Sequence, residues 1–143
     1  MDELPAEVEA LRKIPFFEEL TPEDLERIAR IGQRRTFAPG QAMVTKNQAE
    51  SGLFVLLSGT ASVEAGGQIH ELRPGDFFGE MALLSGRPRS ATVTATEPVE
   101  AMVLEAMYFR PFLIKNPSVA VTILGGVVDR LREVQERIER AGG

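Results

Sequence analysis

Three periods follow one another along the chain. From Pro5 to Ile31 the apolar residues recur at helical spacing, with Leu4, Val8 and Leu11 on one face. Pro15-Phe16-Phe17 interrupts this run, and a second helix begins near Thr21. Its start is well marked: Thr21 can serve as N-cap, Pro22 sits where a missing N–H costs nothing, Asp24 can close a capping box, and Leu20 can staple against Leu25. From Arg34 to Glu105 the pattern changes to short β-type runs, punctuated by Pro39-Gly40, Gly52, Gly59, Ala65-Gly66-Gly67, Pro74-Gly75 and Glu97-Pro98. Strands at such near-regular intervals predict a roll or barrel. Helical spacing returns between Met107 and Lys115. Asn116 then caps a longer helix, with Pro117 in its first turn and Ala141-Gly142-Gly143 at its end.

That last helix carries an apolar stripe at alternating spacings of four and three: Ala120, Leu124, Val127, Leu131, Val134 and Ile138. The stripe must be covered, either by the roll or by a second chain. Glu133 with Arg137 and Glu136 with Arg140 stand in the favourable i,i+4 order and support the exposed side by a few tenths of a kcal/mol each. Gly125-Gly126 acts against the helix, each glycine costing about 1 kcal/mol relative to alanine. A weak point there would let the C-terminal half swing.

Composition narrows the class of protein. At 143 residues the chain has the length of one domain. Its 43% hydrophobic and 26% charged residues are ordinary for a soluble globular protein, and no run approaches a membrane span of roughly 18 apolar residues. The acidic start Met1-Asp2-Glu3-Leu4-Pro5 leads into no apolar signal core, so a cytoplasmic location is expected. The absence of cysteine removes disulfides and thiol chemistry. A net charge of −5 opposes non-specific nucleic-acid binding, which depends on lysine and arginine contacts to phosphates.

The densest chemistry lies between Phe77 and Val93, in F-F-G-E-M-A-L-L-S-G-R-P-R-S-A-T-V. Gly79-Glu80 opens a short helix-favouring run, Met81 to Leu84, whose first backbone N–H groups are free to meet an anion. Arg89 supplies a permanent charge and a planar fork of donors that fits two phosphate oxygens. A single arginine, with no G-x-x-x-x-G-K-[ST] pattern in the chain, argues against a triphosphate with its magnesium and for a monoanion such as a cyclic phosphodiester. Glu80 is repelled by that phosphate but accepts well from a hydroxyl, which points it at a ribose.

This stretch resembles the phosphate-binding cassette of the cyclic nucleotide-binding domain family. Pro39-Gly40, Leu53-Phe54-Val55, Ser58-Gly59 and Arg73-Pro74-Gly75-Asp76-Phe77 upstream are similar to the family's β-roll. The likeness is nearest to the binding domains of prokaryotic cyclic nucleotide-gated potassium channels, which share G-E-M-A-L with P-R-S-A-T-V. The resemblance implies that Glu80 binds the ribose 2′-hydroxyl, that Arg89 binds the cyclic phosphate, and that amides of Gly79, Met81 and Ala82 complete the cradle. It also implies that the last helix is a lid over the base, with Arg130 as its base contact, while Arg87 faces solvent. Ser90 departs from the alanine of the adenine-selective kinase members, and its hydroxyl can reach the phosphate or a guanine amino group. The candidate ligand-binding set is therefore Phe78, Gly79, Glu80, Met81, Ala82, Arg89, Ser90, Ala91 and Arg130, with no catalytic or metal-binding residue.

The fold expected is α+β and mainly β: an antiparallel β-roll, or double-stranded jelly-roll, with N-terminal helices, a short cassette helix and C-terminal lid helices. One domain is expected over 1–143, with helices in 1–32, the roll in 33–105 and helices in 106–143, the cassette occupying 77–93. The function expected is that of a regulatory sensor of a cyclic purine nucleotide, cAMP before cGMP, with no cofactor beyond that ligand. An effector domain or a homodimer through the last helix is the expected partner, with no direct nucleic-acid contact. Catalysis is disfavoured: His70 is the lone histidine, expected on an exposed strand, and neither a nucleophile set nor an ordinary zinc site can be assembled. A transcription regulator would need a basic recognition helix, and none follows Ile138 in this sequence. A longer regulator or a channel, with this chain as its regulatory fragment, is the alternative.

Overall fold

The computed structural model describes residues 5–47, 52–85 and 91–142. Its elements in chain order are α1 (Pro5–Arg12), a 3₁₀ turn (Pro15–Phe17), α2 (Pro22–Ile31), β1 (Gln33–Phe37), β2 (Ala42–Val44), β3 (Gly52–Ser58), β4 (Ala61–Ala65), β5 (Gln68–Leu72), β6 (Phe77–Phe78), α3 (Glu80–Ser85), β7 (Thr92–Ala95), β8 (Val99–Glu105), α4 (Ala106–Lys115) and α5 (Pro117–Gly142). The strands form two four-stranded antiparallel sheets, β1-β8-β3-β6 and β2-β7-β4-β5. This is the α+β roll with helical ends that the sequence predicts.

The alternation of side chains along β3 and β8 explains why these strands read as nearly continuous apolar runs. Phe54 and Leu56 of β3, with Ala101 and Val103 of β8, enter the core between the sheets, where they meet Phe37, Val93 and Val99. Leu53 and Val55, with Met102 and Leu104, point the other way into a second core built with the helices. Successive residues of a strand face opposite sides, so a strand covered on both must be apolar throughout. β5, at the edge of its sheet, is exposed along nearly its whole length, and His70 lies there opposite Val63.

Local signals position the helices. The Thr21 hydroxyl accepts from the Asp24 N–H at 3.1 Å, and Leu20 and Leu25 are both buried in the helical core. The inward face of α1 holds Leu11, buried, and Val8, half-buried against the same core, as expected, and adds Glu7 and Ala10; Leu4 lies outside the described residues. Glu7, at 2% exposure, is tolerated there because its carboxylate accepts from Arg34 of β1 at 2.9 Å. That hydrogen bond and the attraction of Glu7 raise the Arg34 pKa above its ordinary value. Asn116 stands at the α4–α5 junction, but its side-chain amide turns back to donate to the Phe112 carbonyl at 2.9 Å. Only its backbone carbonyl opens α5, accepting from the Val119 N–H at 3.0 Å.

α5 runs unbroken through Gly125-Gly126. A Cβ at Gly126 would lie 2.7 Å from the Phe16 Cα, so this glycine permits helix and turn to touch backbone to backbone. Val119 and Ile123 are buried, and Val127 packs against the same core. Val121, Leu124, Val128, Leu131 and Ile138 are exposed. The apolar stripe read from the sequence is therefore mostly open: of its members only Ala120 and Val127 are half-buried, while Leu124, Leu131, Val134 and Ile138 are exposed, and the face on the body of the protein is that of Val119 and Ile123. Among the described residues no single helix is long and apolar enough to cross a membrane.

Candidate functional site

The entrance to the candidate cassette is fixed by backbone hydrogen bonds. In the turn before β6, Asp76 accepts the Arg73 N–H on its side chain at 2.8 Å and returns its own N–H to the Arg73 carbonyl at 2.9 Å. The turn is fastened to β3 by the Gly75 N–H donating to the Leu56 carbonyl and the Leu56 N–H donating to the Asp76 carbonyl, at 2.8 and 2.9 Å. β6 then pairs with β3, Phe54 opposite Phe78, and the rings of these two residues stack at 4.8 Å. Phe78 therefore anchors the site through its side chain.

Gly79 follows in the left-handed region, with φ +86°, where a side chain is strained. It redirects the chain into α3, whose first intrahelical bond runs from the Leu83 N–H to the Gly79 carbonyl at 3.0 Å. The N–H groups of the preceding first-turn residues, Glu80 to Ala82, have no partner within the helix. Leu83 is fully buried in the same apolar cluster as Phe16, Phe109 and Ile123, and fixes α3 against the body. Glu80 is half-buried and has no ion-pair partner among the described residues, while Met81 is 70% exposed and Ala82 half-buried. An acceptor and a short set of N–H donors thus stand together beside an apolar exposed side chain, an arrangement suited to a polar ligand with one flat apolar part.

Ala91 is half-buried immediately before β7. Arg87, Arg89 and Ser90 lie outside the described residues. Arg130 is exposed on α5, where it lines a groove with Pro15, Glu18, Glu19 and Gly126 beside the 3₁₀ turn. No cassette residue lines that groove. The sequence reading missed two features around the site. The Phe16–Gly126 contact had a signal in Gly126, although its neighbour Gly125 has nothing within 4 Å. The Glu7–Arg34–Glu100 set, with Arg34 donating to Glu100 at 3.2 Å, had none, because its members are far apart in the chain.

Residues 34–116 match the family model described as "Cyclic nucleotide-binding domain", and the chain belongs to that family. It is 36% identical over 107 residues to a cyclic nucleotide-gated potassium channel of Mesorhizobium japonicum, covering 75% of this chain and 30% of the channel. It is 46% identical over 88 residues to a cGMP-dependent protein kinase of Toxoplasma gondii, covering 61% of this chain and 9% of the kinase. Among solved structures it resembles the N-terminal domain of a transcriptional regulator from Streptomyces coelicolor, with a TM-score of 0.78, 27% identity, and coverage of 90% of this chain and 94% of that one. The chain thus spans a third or less of the channel and kinase relatives, as the domain that is regulatory in proteins of those kinds.

Proposed function

We propose that this protein binds a 3′,5′-cyclic purine nucleotide, cAMP in the first place, and acts as a cytoplasmic regulatory sensor without catalysis of its own. The observation that carries the reading is the β6–Gly79–α3 turn, within the span matched by the family: Gly79, at φ +86°, leads from the strand into the short helix that Glu80 opens. Arg89 pairs with the phosphate, Glu80 takes the ribose 2′-hydroxyl, and α5 moves over the base as a lid. Ligand bonding to both roll and lid stabilises the closed arrangement by its differential affinity for it, and the movement is what an effector reads.

Titration calorimetry with cAMP and cGMP side by side tests this. Both are expected to bind, with affinities within about tenfold of each other, near 1.4 kcal/mol. Arginine in the lid offers two donors to guanine O6 and N7 but one bond or stacking to adenine, and so discriminates weakly. No binding of either nucleotide would overturn the proposal. A strong preference for cGMP would replace cAMP as the ligand, the reading that similarity to a cGMP-dependent kinase supports.

Glu80→Gln is expected to weaken cAMP binding less than loss of Arg89 does, since an amide still accepts from a hydroxyl without the strength of a charged acceptor. It should also narrow the gap between cAMP and its 2′-deoxy analogue. If the variant and the parent discriminate the two ligands equally, Glu80 does not read the ribose.

The open face of α5 supports a second copy of this chain as partner. Val121, Leu124, Val128 and Leu131 alternate at spacings of three and four, with β-branched residues at one seam position and leucine at the other, a pattern that favours two parallel strands. Sedimentation velocity is expected to show a dimer that Leu124→Glu with Leu131→Glu converts to monomer. A monomeric parent would leave that face to an effector domain, in a longer channel or regulator.

A further inference from the structure

We infer that the outer face of α4 docks on an anionic lipid surface, with the helix lying in the plane of the headgroups. The inner side of α4 is held by the body of the protein: Ala106 and Phe109 are buried, Phe112 and Leu113 are half-buried, and the helix packs on α2, α3, α5 and β8. Taken at about 100° per residue, its exposed residues fill one arc, in the order Arg110, Ile114, Met107, Pro111, Lys115 and Tyr108. The centre of that arc is apolar and both margins are polar. Ile114 is 80% exposed and Met107 67%, two turns apart with Pro111 between them. Single apolar residues on a surface are ordinary, but these three form a row with a cation on either side.

The charge of this face is opposite to that of the protein. The chain carries a net −5, yet from Ala106 to Val128 it has Arg110 and Lys115 and no acidic residue. Neither cation has an ion-pair partner among the described residues, and Glu105, just before the helix, is bound to Arg35. Charges more than about 8 Å away are largely screened at physiological salt, so the local sign decides what approaches. Arginine and lysine can lay their methylenes along the apolar row and hold their charged ends at lipid phosphates, while the Tyr108 ring suits the boundary between apolar and wet layers. With ten residues α4 is too short to cross a bilayer, and a bend of 112° separates it from α5. It therefore lies on the membrane, and so short a helix attaches reversibly, more strongly as the anionic lipid content rises.

Cosedimentation of the whole chain with vesicles tests this. The parent is expected to bind vesicles of phosphatidylcholine and phosphatidylserine in a two-to-one ratio, to stay in solution with phosphatidylcholine alone, and to be released by added salt. Arg110→Gln with Lys115→Gln should weaken binding about thirtyfold, roughly fivefold for each cation. Met107→Gln with Ile114→Gln keeps the charge and should still weaken binding by at least about tenfold, because no apolar side chain then enters the headgroup boundary. All four positions are exposed, so melting curves of both variants should match that of the parent. The chain has no tryptophan, and Tyr108→Trp supplies a single one whose emission should move to the blue on the mixed vesicles. Failure of the parent to bind them, equal binding to phosphatidylcholine alone, or parent-like binding by either double variant would overturn the proposal and leave the face to a protein partner. Binding without a blue shift would overturn it as well, since another surface would then hold the lipid.

Discussion

Arg89→Ala is expected to weaken cAMP binding by roughly 3 to 5 kcal/mol, two to three powers of ten or more in the dissociation constant, while leaving the thermal transition of the free protein unchanged. The size follows from what remains after truncation. A phosphodiester keeps its charge at any accessible pH, so removing its only fully charged partner leaves that charge poorly paired in a site with partly excluded water. In the proposed site neutral N–H groups at the start of α3 would supply the remaining bonds, each weaker than a guanidinium–phosphate pair. Calorimetry on the variant, with a melting curve alongside, measures both quantities. Parent-like affinity would remove Arg89 from the phosphate, and a lowered melting point would point instead to an intramolecular carboxylate partner.

Gly59→Ala is expected to have the largest effect on the fold, about 3 kcal/mol of stability and a melting temperature lower by about 10 °C. Gly59 links β3 to β4 at φ +83°, and an added Cβ would stand 2.1 Å from the Pro98 carbonyl oxygen. Neither backbone can give way easily, because the adjoining loops are tied together. The Thr60 carbonyl accepts the Thr96 N–H at 2.9 Å, and the Thr60 hydroxyl bonds Thr96 and Glu97 at 2.7 and 2.8 Å. Gly40→Ala provides the comparison: at φ +85° with nothing within 4 Å, it carries the conformational strain alone, about 1 to 2 kcal/mol. Equal melting temperatures for the two variants would show that the approach of Pro98 contributes nothing.

The parts of the fold that the sequence discloses are those set by neighbours in the chain. Thr21, Pro22 and Asp24 mark the start of α2 because a cap is local chemistry, and the helix expected from Met107 begins at Ala106. The strands are legible from the glycines and prolines between them. What escapes is whatever depends on distant residues. Glu7 gives no sign in its own helix that it will be buried, since its partner Arg34 lies in β1. Asn116 reads as a cap for α5, yet its side-chain amide donates to a carbonyl of the preceding helix. The stripe on α5 is visible as a repeat, but the face that is covered, that of Val119 and Ile123, depends on how the helix packs against the distant 3₁₀ turn and α4. At the candidate site, the turn at Gly79 and the helix after it follow from Gly-Glu ahead of an apolar run. The surroundings of Arg130 do not, because they depend on where α5 rests against the 3₁₀ turn.

β3 lies between two separate cores and carries the cassette strand on its edge. Such a strand has little compliance: bending it toward either side compresses close-packed side chains, and tilting it disturbs both layers at once. If a nucleotide binds at β6 and α3 as proposed, the strand beneath them is expected to serve as an anvil, and any response to fall on the helices that α3 meets through Leu83.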